Sequence, residues 1–63
     1  MNQADILLEI EVRAKRLRLP MYNVCREAGI HPTTFSKWKN GVDARISGIA
    51  KLSAALDKLE SFS

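Results

Sequence analysis

The chain has a single cysteine, Cys25, in 63 residues. No intrachain disulfide can form, and a metal site built from several cysteines is excluded. There are only two prolines and three glycines, and no repeat, low-complexity tract or linker divides the chain. No apolar run approaches the roughly 18 residues that a membrane span needs. The opening Met-Asn-Gln-Ala-Asp has neither the basic start nor the apolar core of a signal peptide, so a cytoplasmic protein is expected. Paired carboxylates, a Ser-His-Asp arrangement and a phosphate-binding loop are all missing. One histidine and one cysteine do not make a metal site, and a helical domain this short has little room for a pocket. The expectation is a protein that is not an enzyme and takes no cofactor, metal or small-molecule ligand.

Acidic residues are scarce in one region. Residues 13–51 hold nine bases and only two acids, Glu27 and Asp43, for a local net charge of +7. Residues 1–12 hold Asp5, Glu9 and Glu11 and no base. Such segregation points to a polyanionic partner more than the overall +3 does. Many small basic domains bind nothing, however, so charge alone does not choose between the two.

The apolar content, 46%, is too high for a disordered chain. One domain, residues 1–63, is expected. It would bury only about 60% of its unfolded surface, near the lower limit for folding without staples.

Four helices read out, and the fold class is all-α. The first spans about Ala4 to Leu19, with Ile6, Leu7, Ile10, Ala14 and Leu17 recurring at helical steps. Its acids come first and its bases last, which suits the helix dipole and accounts for Arg13 to Arg18 without a ligand. Pro20 ends it. The second helix spans about Met21 to Ala28, with Val24, Cys25 and Ala28 inward, and stops at Gly29. The third spans about Pro32 to Lys39. His31 stands at its cap, Pro32 at its first position, and Phe35 and Trp38 point inward. Asn40-Gly41 ends it. After a loop at 42–46, Ser47 is expected to cap a fourth helix with the apolar stripe Ile49, Leu52, Leu56 and Leu59.

Two short helices joined at a glycine make a helix-turn-helix, at about 21–40. The stretch MYNVCREAGIHPTTFSKWKNG resembles the DNA-binding motif of the phage repressor and Cro family, also called XRE-like or lambda-repressor-like. That motif has a small residue on its first helix, a glycine four later, and apolar residues six and nine after the glycine. Here these are Cys25, Gly29, Phe35 and Trp38, with Ile30 as the apolar residue after the glycine. WKNG resembles the family's exit from the recognition helix, and RISGIAKLSAAL its loop and fourth helix. The resemblance covers almost the whole chain and implies a compact four- to five-helix lambda-repressor-like domain.

It also implies which residues meet DNA. Base readers would be His31, Pro32, Thr33, Ser36 and Lys37, on the outer face near the start of the third helix. Lys37 suits guanine, with phosphate contact or solvation as alternatives. His31 has an equal claim as a helix-start residue. Phosphate contacts would come from Tyr22, Lys39, Asn40, Arg45 and Ser47. Two positions depart from the family pattern. Pro32 stands where a hydrogen-bonding residue is frequent, and Met21 where a phosphate-binding glutamine is frequent, with Tyr22 beside it as a substitute. Trp38 shares a face with Phe35, which favours a core role over base stacking. Cys25 is expected as a small buried hydrophobe rather than a redox sensor.

The function implied is a sequence-specific, double-stranded DNA-binding transcriptional regulator of the small phage or plasmid type. It would be a Cro-like repressor acting by promoter occlusion, in a bacterial or phage-infected cell. A homodimer on a palindromic operator is expected, with Leu59 and Phe62 as interface candidates that could instead only cover the core. The competing reading is a protein-interaction module on the same fold, such as an antitoxin or a binder of a polymerase subunit or another repressor.

Overall fold

The apolar periodicity becomes four helices in a computed structural model that describes residues 2–62. They are α1 (Gln3–Arg16), α2 (Met21–Ala28), α3 (Pro32–Lys39) and α4 (Ile46–Glu60). No strand and no fifth helix occur among the described residues. None of the helices is long and apolar enough to cross a membrane.

α2 and α3 have the bounds expected from sequence, but α1 and α4 do not. α1 stops at Arg16 rather than Leu19 because Arg18 is left-handed, with φ 58°. That turn lets the Leu19 N–H reach back to the Ala14 carbonyl (3.0 Å) and the Arg18 N–H to the Lys15 carbonyl (2.9 Å). The two bonds satisfy carbonyls that a helix end leaves open. Pro20 therefore follows a helix that has already closed. At α4, Ser47 is not the cap. The chain is helical from Ile46, Arg45 is the N-cap residue, and no side chain makes a capping bond. Ser47 lies inside the first turn.

Between α2 and α3 the chain turns at Gly29, whose φ is 76°. The Ile30 N–H then donates to the Cys25 carbonyl at 2.8 Å. A side chain at Gly29 would meet open space, so the glycine is required by backbone conformation and not by crowding.

The core draws on every helix: Leu7, Ile10 and Ala14 of α1, Val24 and Cys25 of α2, Phe35 and Trp38 of α3, and Leu52, Ala55 and Leu56 of α4. No polar side chain is buried among the described residues. Ile30, Ala28, Ile49 and Leu59 lean against this core from its margin. α4 packs on both α1 and α2, and α3 packs on α2.

Two contacts fix where α3 sits. The rim of the Trp38 indole lies against Gly48 of α4, where an added Cβ would come within 2.5 Å of the ring. Gln3, the first residue of α1, clasps the C-terminal end of α3 and the loop that follows. Its Nε2 donates to the carbonyls of Trp38 (3.0 Å) and Val42 (2.8 Å), and its Oε1 accepts from the Ala44 N–H (2.8 Å). Ion pairs add three ties between helices: Arg13 to Asp57 and Glu60, Lys58 to Glu27, and Lys39 to Glu11.

Two substitutions check these placements. A Gly→Ala change within a helix ordinarily stabilises by up to about 1 kcal/mol. Gly48→Ala is expected to reverse that sign and destabilise by about 1–3 kcal/mol, because the indole cannot yield without disturbing the core. Arg18→Gly is expected to stabilise by up to about 1 kcal/mol by relieving the left-handed strain. For a domain of this size 1 kcal/mol moves the thermal midpoint by about 4–8 °C, which calorimetry resolves.

Candidate nucleic-acid interface

α3 has two faces of opposite character. Phe35 and Trp38 are buried, whereas Thr33, Ser36, Lys37 and Asn40 are exposed. Those four recur at steps of three and four residues, so they form one stripe along the helix. The inner pair anchors the helix and leaves the stripe open to solvent. Pro32 is half-buried at the first helical position.

His31 has a structural task. Its Nδ1 accepts a hydrogen bond from the Thr33 N–H at 3.1 Å, which caps α3 where Ser, Asp or Asn would usually serve. The ring remains exposed, so the opposite nitrogen, Nε2, is the one left to meet a ligand.

The start of α3 and the start of α4 border a common cleft of about 250 Å³. His31 and Thr34 line one side, and Arg45, Ser47 and Lys51 the other. Arg45 and Ser47 are expected from the sequence, whereas Lys51 and Thr34 are not. Lys51 lies four residues after Ser47 on the same helix, and that spacing was the available signal. Its relevance depended on where α3 docks against α4.

The remaining candidates divide. Tyr22 is 59% exposed in the first turn of α2. Asn40 is exposed at the end of α3. Lys39 is exposed, but its Nζ lies 3.0 Å from Glu11 Oε2 of α1, so its charge is already matched within the chain. Leu59 packs against the core, whereas Phe62 is 76% exposed. Cys25 is buried, and burial pushes its thiol pKa up, away from the reactive thiolate.

Internal pairing leaves an excess of free positive charge. Glu11, Glu27, Asp57 and Glu60 are taken up by Lys39, Lys58 and Arg13. Lys37, Arg45 and Lys51, at or beside the α3 face, have no ion-pair partner among the described residues.

No family model, curated protein or solved structure matches this chain.

The cap assignment of His31 is testable by stability alone. His31→Ala is expected to cost about 1 kcal/mol, and His31→Asn, which can restore the bond to the Thr33 N–H, close to nothing. Equal melting temperatures for the alanine variant and the parent would show that the bond contributes nothing.

Proposed function

We propose that α2, the turn at Gly29 and α3 form a helix-turn-helix within a lambda-repressor-like domain. On this reading the protein is a sequence-specific, double-stranded DNA-binding regulator of the Cro-like type. It acts in the cytoplasm as a homodimer on a palindromic operator and represses by occluding a promoter. The observation that carries the reading is the stripe of Thr33, Ser36, Lys37 and Asn40, on a short helix held from behind by Phe35 and Trp38. It is flanked by the unpaired cations Arg45 and Lys51.

The chemistry fits the task. A major groove about 12 Å wide admits one helix, and short polar side chains near its start can reach base edges. Thr33 supplies a methyl for thymine or a hydroxyl for a base edge, and Lys37 a donor for guanine. Pro32 offers apolar contact alone. Arg45 and Ser47, across the cleft from α3, suit the phosphate backbone, as does Tyr22 at the start of α2. Lys39 can join them only by giving up Glu11. Phosphate contacts position the protein and carry no base identity, so Lys37 and Arg45 should behave differently.

The experiment selects an operator from a random DNA library and measures both alanine variants on it, on single-base changes and on random DNA. Lys37→Ala is expected to lose about 1–3 kcal/mol on the operator and to relax preference at one base pair per half-site. Arg45→Ala is expected to weaken operator and random DNA alike and to lower the salt slope by about 1 per subunit. An absence of salt-dependent DNA binding in the parent protein would replace this reading with that of a protein-interaction module.

A further inference from the structure

α1 carries a second stripe that neither the core nor the proposed DNA face uses. Asp5, Leu8, Val12 and Lys15 recur at steps of three, four and three residues, and all four are exposed. Leu8 is 60% and Val12 40% exposed, in spite of their size. Together with Leu19 and Met21 they line a groove of about 370 Å³ beside the α1–α2 corner. Neither Asp5 nor Lys15 has an ion-pair partner among the described residues. Glu11 also borders the groove, but Lys39 already matches its charge at 3.0 Å.

The order of these residues is self-complementary. Asp5 and Lys15 are equidistant from Ile10, and so are Leu8 and Val12. When two copies of such a helix run antiparallel about a two-fold axis level with Ile10, Asp5 of each meets Lys15 of the other. Leu8 of each then meets Val12 of the other. We propose that this face of α1 is a self-association surface whose occupant is a second copy of this chain in that antiparallel register. A different partner would have no need of charges and apolar groups placed symmetrically about one point. A two-fold interface requires it, because the same patch serves both subunits.

None of the four residues belongs to the α3 stripe or to the cleft between α3 and α4, so pairing through α1 does not use the residues assigned to DNA. The inference does not rest on DNA binding, although the proposed reading also takes the chain as a homodimer, and it is tested without DNA. The apolar centre is small, and stable interfaces bury about 1,200–2,000 Å² in total. Association is therefore weak and concentration-dependent.

The test is sedimentation equilibrium over a wide concentration range on the parent protein, Asp5→Lys, Lys15→Asp and Leu8→Glu, with circular dichroism to check folding. The parent is expected to form dimers. Each variant is expected to weaken them about tenfold or more, since like charges or a carboxylate then meet across the axis. An equimolar mixture of Asp5→Lys and Lys15→Asp is expected to recover dimer mass, because each lysine at position 5 then faces an aspartate at position 15. Misfolded chains could not rescue one another in this way. A parent that stays monomeric throughout overturns the proposal, as does a mixture that fails to associate. Association that survives all three changes but is lost in Phe62→Ser assigns the interface to the C-terminal end instead and also overturns it.

Discussion

The placement of α3 depends on the contact of Trp38 with Gly48 together with its packing on α2. α3 has only eight residues, far below the roughly 12–15 at which an isolated helix becomes even marginal in water. Its persistence depends on burial of one face. Phe35 and Trp38 provide that face, and the absence of a side chain at Gly48 lets the indole lie directly on α4. The same contact borders the cleft that His31, Arg45 and Lys51 line. Gln3 holds the same C-terminal end of α3 and the loop after it by three hydrogen bonds to backbone groups of Trp38, Val42 and Ala44.

Charge is arranged by the same docking. Each ion pair joins two helices: Arg13 ties α1 to the end of α4, Lys58 ties α4 to α2, and Lys39 ties α3 to α1. Surface pairs of this kind contribute about 0–1 kcal/mol each, so they are minor for stability. Their larger consequence is electrostatic. They take up Glu11, Glu27, Asp57 and Glu60, while Lys37, Arg45 and Lys51 keep no ion-pair partner among the described residues. The Arg13–Asp57 pair takes one cation of the basic run Arg13 to Arg18, while Lys15, Arg16 and Arg18 stay exposed.

Stability and the proposed function are therefore coupled through α3. Its outer stripe exists only while its inner face is buried, and a domain of this size has few kcal/mol to spare. Changes at Trp38, Gly48 or Gly29 act on any ligand through the fold. Changes at Lys37, Arg45 or Lys51, all exposed, leave the packing alone, so on the proposed reading they would act on DNA directly.

Sequence by itself determined the all-α class, the bounds of α2 and α3, the turn at Gly29 and the inward face of each helix. Those features are local. They follow from periodicity, from proline at a first helical position and from glycine at a left-handed one. Tertiary structure decided the rest. The early end of α1 depends on Arg18 adopting a conformation that its residue type does not advertise. α4 starts at Ile46 without the side-chain cap expected from Ser47. The clasp by Gln3, the indole on Gly48, the pairing of Lys39 with Glu11 and the place of Lys51 beside α3 all join residues distant in the chain. Helix period says which way a side chain points, but only the docking of one helix on another says what it meets.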